Sequence, residues 1–99
     1  MLHIVNQSPT EGNNLASCLR AAREGHTLLL IEDGVYAATT GSAAACGLQE
    51  ATKRLKVNVL QPDLEARGMA GRRIDGAQPV DYAGFVDLVA QHPTNQTWL

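Results

Sequence analysis

The side chains of this chain with reactive potential are two thiols, Cys18 and Cys46, three imidazoles, His3, His26 and His92, and one adjacent carboxylate pair, Glu32-Asp33. A thiol carries or transfers sulfur only as a thiolate, which needs exposure and nearby positive charge. Cys18 lies between Leu15 and Leu19 on one helical stripe. Two readings follow: a small buried hydrophobe, or a sulfur-accepting thiol that carries persulfide. Arg20 and Arg23 share the helix without clearly facing Cys18. Cys46 sits in an Ala-rich stretch before Gly47 and reads as packing. The histidines lack metal-ligand spacing and neither cysteine belongs to a metal motif, so no metal site is expected. His3 reads as a packed strand histidine with one hydrogen bond, and His26 as an exposed turn residue. His92 reads as the C-terminus of a helix, where positive charge is favourable. No GxGxxG and no P-loop is present, and no cofactor is expected. Asp33 reads as a helix cap and Glu32 as solvated.

Trp98, the only tryptophan, stands beside Leu99 at the end of the chain. A tail tryptophan needs cover. It either folds back on its own domain or, with Leu99, docks into a partner, since tryptophan is enriched at interface hot spots.

The elements that must position these residues alternate strand and helix. Residues 2–6 read as a strand. Ser8-Pro9-Thr10-Glu11 reads as a helix start, with Ser8 as cap, Pro9 at the first position and Glu11 closing a capping box. Leu15, Cys18, Leu19 and Ala22 follow at i, i+3, i+4 and i+7, giving a helix over 9–24 stopped by Gly25. Residues 27–31 form a continuous apolar run, the mark of a strand covered on both faces. Val35 to Ala38 makes one helical turn, and Ser42 caps a helix over 43–54 with Ala44, Leu48, Ala51 and Leu55 inside. Residues 56–60 form the third strand. A short helix over 62–67 stops at Gly68, and a loop runs over 68–77. Arg72-Arg73 there reads as a solvated loop. Pro79-Val80 is a short edge strand, because proline cannot donate to a ladder. Asp81 caps a last helix with Tyr82, Phe85, Val86 and Val89 as its apolar stripe, ended by Pro93. Residues 94–99 read as a polar tail apart from Trp98 and Leu99. The expected fold is α/β: an open, mostly parallel sheet of four to five strands with helices on both faces.

Composition bounds the function. The chain has 99 residues, which fits one domain spanning 1–99. Self-association of the isolated chain stays open, since a domain of this size gains from added buried surface. A net charge of −2 argues against direct nucleic-acid binding. Leu28 to Ile31 is too short to span a bilayer. No secretory signal is read at the N-terminus, so a cytoplasmic protein with free thiols is expected.

Several segments resemble the TusB/DsrH family: Met1-Leu2-His3-Ile4-Val5-Asn6-Gln7-Ser8-Pro9, Leu28 through Ala38, Val59 through Gly68, Val80 through Leu88, and Trp98. They run from the first residue almost to the last, and their order in so short a chain makes the resemblance specific. It implies a three-layer, Rossmann-like α/β/α sandwich. It also implies a place in a heterohexamer with TusC/DsrF-like and TusD/DsrE-like subunits. That complex relays persulfide sulfur to a TusE/DsrC-type carrier, for 2-thiouridine at a tRNA wobble position or for oxidation of stored sulfur. In such complexes the main sulfur-accepting cysteine belongs to the TusD/DsrE-type subunit. Leu15-Ala16-Ser17-Cys18-Leu19 resembles the DsrH branch, which has a cysteine in this helix. The resemblance thus favours a structural, docking subunit, with an auxiliary sulfurtransferase using Cys18 as the alternative. A stand-alone ligand-binding domain is the reading outside sulfur chemistry.

Overall fold

The computed structural model describes residues 1–99. Five strands form one all-parallel sheet: β1 (Leu2–Val5), β2 (Thr27–Leu30), β3 (Lys56–Leu60), β4 (Gln78–Val80) and β5 (Asn95–Trp98). Their order across the sheet is β4-β3-β2-β1-β5. The helices are α1 (Asn14–Ala21), α2 (Leu48–Ala51), α3 (Gln61–Ala66) and α4 (Tyr82–Gln91), with 3₁₀ segments at Glu32–Ala38 and Ala70–Arg72.

Side chains alternate across a strand, so each strand feeds both faces of the sheet. Val5, Leu28, Leu30, Val57 and Val59 lie on one face. They share a core with Leu15 and Cys18 of α1, Leu48 and Ala51 of α2, Leu64 of α3 and the 3₁₀ residues Val35, Ala37 and Ala38. Leu2, Ile4 and Leu29 lie on the other face, packed by Phe85 and Leu88 of α4. Three helices thus cover one face and α4 alone serves the other. The reason is topological: β4 and β5 are the two edges, so the chain needs a crossover spanning three strands, and α4 provides it.

The polar tail expected at 94–99 is a fifth strand. Its residues pair with β1 in the register Leu2–Asn95, His3–Gln96, Ile4–Thr97 and Val5–Trp98. An edge strand with both faces wet carries no apolar alternation, so periodicity could not reveal it. The first helix begins at Asn14, five residues later than its cap signal suggests. The Ser8 hydroxyl instead accepts from the Thr10 N–H at 3.3 Å, and Glu11 N–H donates to the Ser8 carbonyl at 3.0 Å, closing a turn. Local hydroxyl bonding of this kind competes with helix formation. The helix expected over 43–54 reduces to α2, preceded by turns, and Ala43 rather than Ala44 faces inward. Within the 68–77 loop, Ile74 and Ala77 are buried and Thr39 bridges Arg73. Arg73 donates to the carbonyls of Ile74 and Ala77, so only Arg72 of the basic pair is solvated. The edge position of Pro79-Val80 and the Asp81 cap are as expected, with Asp81 Oδ1 accepting from Gly84 N–H at 2.7 Å.

Candidate functional site

Cys18 is fully enclosed, with 0% of its surface exposed. Burial pushes its thiol up to about 12, although the Arg54 guanidinium pulls the other way. That guanidinium is committed elsewhere. It donates to the carbonyls of Ala22 at 2.8 Å and Leu19 at 2.6 Å, satisfying orphan acceptors at the end of α1. A persulfide carrier needs an accessible thiolate, and both the enclosure and the raised thiol disfavour one here. Cys18 occupies the inner stripe of α1 as a packing residue. Cys46 is half-buried, with its thiol directed at the carbonyls of Ala37 at 3.7 Å and Ala43 at 3.8 Å.

The carboxyl ends of the strands, where open α/β sheets bind ligands, hold Glu32, Asp33, Asp63 and Arg67. Asp63 accepts from the Glu32 N–H at 2.6 Å. Arg67 Nε donates to Asp33 at 2.8 Å, and this hydrogen bond raises the Arg67 guanidinium above its usual range. Asp33 therefore pairs with α3 and does not cap a helix, while Glu32 takes a left-handed φ of 50° at the tight entry to the 3₁₀ segment. Gly34 follows because a Cβ there would fall on the Val5 carbonyl oxygen. Arg67 thus offsets Asp33, Asp63 is tied to the backbone, and Glu32 stays exposed to solvent.

His3, Trp98 and His26 come together on the same side of the sheet as Cys18. Trp98 Nε1 donates to His3 Nδ1 at 3.3 Å, and His3 Nε2 meets His26 Nδ1 at 3.1 Å. Trp98 is half-buried and packs against the main core, so the tail folds back on its own domain. Leu99 remains 81% exposed. His26 is thus half-buried, and His3 has two partners where one was expected. His92 caps α4, its Nδ1 reaching the Leu88 carbonyl at 2.6 Å. No group of three or more metal-binding side chains converges anywhere.

The residues that sequence reasoning assigned to the wrong side are on α4. Tyr82, Val86 and Val89 were expected to face the core, yet Tyr82 is 61% and Val86 67% exposed, and Val89 is exposed as well. Of the expected stripe only Phe85 faces inward, joined there by Leu88. Tyr82, Phe85, Val86, Val89 and Ala90 line a wholly apolar surface groove. Apolar residues on both sides of one helix mark an element that another surface covers. The residue missed was Leu88, three positions after Phe85, which the expected stripe already held.

The class these features define is a small, all-parallel α/β domain that presents an apolar helix face. The family described as DsrH like protein matches residues 7–95. Protein TusB of Escherichia coli O1:K1 is 40% identical over 98 residues, covering 99% of this chain and 100% of that protein. Protein TusB of Shigella flexneri is 39% identical over the same length and coverage. Among solved structures, a Thermotoga maritima protein superposes with a TM-score of 0.63 at 20% identity, covering 93% of this chain and 94% of that one. A protein of unknown function from Methanobacterium thermoautotrophicum gives 0.65 at 17% identity, covering 97% and 95%. These two likenesses speak to the fold alone. The chain belongs to the TusB/DsrH family, and that membership supports a role as a sulfur-relay subunit that works with other Tus/Dsr subunits. No helix is long and apolar enough to cross a membrane.

Proposed function

We infer that this chain is the docking subunit of a hetero-oligomeric sulfur relay, contributing surface and not sulfur chemistry. The carrying observation is the exposed apolar face of α4, formed by Tyr82, Val86 and Val89 on a helix whose opposite side already packs on the sheet. The occupant proposed is a related small α/β subunit of the TusC/DsrF or TusD/DsrE type. Persulfide then passes through a cysteine of the partner subunits to a TusE/DsrC-type carrier. The end use favoured by the full-length relatedness to TusB is 2-thiouridine formation in tRNA.

Burial of Cys18 supports the non-catalytic reading, because a thiol pushed up to about 12 is almost wholly protonated at neutral pH. The test is complementation of a strain lacking the subunit, reading 2-thiouridine in total tRNA by mass spectrometry, with co-purification of the partners as the second readout. Cys18→Ala is expected to restore thiolation and Val86→Asp to fail, with Val86→Asp folded but free of partners. Loss of thiolation in a folded, fully assembled Cys18→Ala complex would refute the docking-only role. Assembly undisturbed by Val86→Asp and Tyr82→Ala together would refute the assigned face.

A further inference from the structure

His3, His26 and Trp98 are distant in sequence and lie outside the relay reading, yet they form one directional hydrogen-bond chain. An indole nitrogen can only donate. Trp98 Nε1–H at 3.3 Å therefore requires a lone pair on His3 Nδ1. That places the His3 proton on Nε2, where it is donated to His26 Nδ1 at 3.1 Å. His26 Nδ1 also accepts the Arg23 backbone N–H at 3.2 Å, so its own proton sits on Nε2. The two imidazoles stack with centroids 5.2 Å apart, and the indole lies 6.3 Å from His3. All three roles need both imidazoles neutral.

The surroundings offer a proton on His3 no compensation. Strands β2 and β5 bring no ionisable group to it: β2 presents Thr27 and Leu28, and β5 presents Gln96 and Trp98. The charged groups that bear on the pair are the amino group of Met1, felt by both imidazoles, and Arg23, felt by His26. The ion pairs of the chain are Lys53–Glu50 and Arg67–Asp33, so neither Glu24 nor the final carboxylate pairs with either imidazole. Burial, then His26, then the amino terminus hold His3 below its usual range. Strand β5 has little else to hold it, since Asn95, Gln96 and Thr97 are exposed and Trp98 is its one side chain packed on the core.

We propose that His3, His26 and Trp98 form a proton-operated latch on the C-terminal strand. With His3 neutral, the indole N–H is held and β5 stays on β1. A proton on His3 Nδ1 sets donor against donor, adds charge beside His26, and frees β5, baring the backbone groups of the β1 edge. The sign follows from linkage. A released His3 takes up its proton near pH ~6.5, whereas the latched one resists until lower pH. Opening of β5 is thus least above that pH and rises as pH falls, by up to about tenfold per pH unit, until the latched His3 itself titrates.

Amide hydrogen exchange by NMR on the full chain tests this between roughly pH 7.5 and pH 5. Exchange is converted to opening constants with the intrinsic rate at each pH. The opening constants of Asn95–Trp98 and of the indole N–H are expected to rise below ~6.5, by up to about tenfold per unit, relative to Leu29 and Val59. His3→Gln preserves one acceptor and one donor without titrating, and is expected to remove the pH response. Nitrogen shifts of wild type at neutral pH are expected to show His3 as the Nε2–H tautomer. An Nδ1–H tautomer would overturn the latch, as would β5 opening that tracks the central strands with pH. Should His3→Gln fold poorly, Trp98→Phe serves: it removes the donor to His3 Nδ1, and an unchanged pH response of β5 in that variant would equally overturn the proposal.

Discussion

Native alkylation should stop at one thiol. The protein has two cysteines, Cys46 half-buried and Cys18 fully enclosed. The rise of the Cys18 thiol from 9.0 to about 12 cuts its thiolate fraction at neutral pH by about 10³-fold. Enclosure adds a second obstacle, because even the thiolate must wait for the domain to open before it meets the reagent. Iodoacetamide at roughly pH 7.5, read by intact-mass spectrometry, is expected to give one rapid adduct on Cys46 and a second slower by at least ~10³-fold. Guanidinium should bring both to similar rates, since the difference lies in the fold. Cys46→Ala should abolish the rapid phase and Cys18→Ala should keep it. Two adducts at comparable rates in the native protein would refute the burial argument, and a rapid phase lost in Cys18→Ala would do so more directly.

Other predictions bear on single contacts. Arg54→Ala removes two short bonds from a charged donor to the end of α1 and is expected to cost about 2–3 kcal/mol in urea unfolding; a loss below ~0.5 kcal/mol would show that water replaces them. Gly34→Ala drives a Cβ into the Val5 carbonyl and should cost about 1–3 kcal/mol, visible as a lowered melting temperature. Asp33→Ala breaks a partly exposed ion pair with Arg67, so a change of about 0.5 kcal/mol that fades in high salt is expected from melts with and without salt. Val86→Asp should leave the melting temperature of the isolated chain within the error of the measurement, since 67% of Val86 is exposed; a large drop would mean that α4 packs differently.

The alternation of strands and helices was legible because a parallel sheet covered on both faces favours continuous apolar runs, which Leu28-Leu29-Leu30 supplies, and because Val57, Val59 and Leu60 mark a β-branched-rich segment interrupted only by Asn58. The inward stripe of Leu15, Cys18 and Ala22 was legible for the same reason in helical form. What escaped was whatever depends on neighbours. Asn95–Trp98 carries no apolar pattern and becomes a strand only because β1 offers an unpaired edge. Residues 82–90 are apolar round much of the helix, and periodicity cannot say that Phe85 and Leu88 are the ones that meet the sheet. The His3–His26–Trp98 contact joins residues brought together by the 1–5 strand pairing, which no local spacing records. Arg54 lies outside any motif and finds its role only where α1 happens to end.

The strand order also sets a sequence of events in time. Register partners in β1–β2, β2–β3 and β3–β4 are near neighbours along the chain, whereas Leu2 and Asn95 stand at opposite ends of it. Closing that longest loop first would cost about 1 kcal/mol more than closing β1 onto β2. Once β1 to β4 have assembled, the distance vanishes, and β5 need only follow α4 across a finished sheet. Residues 1–80 are therefore expected to assemble ahead of α4 and β5. Partial opening is then expected to begin at β5, whose Trp98 alone packs on the core, while α4 stays held by Leu2, Ile4 and Leu29.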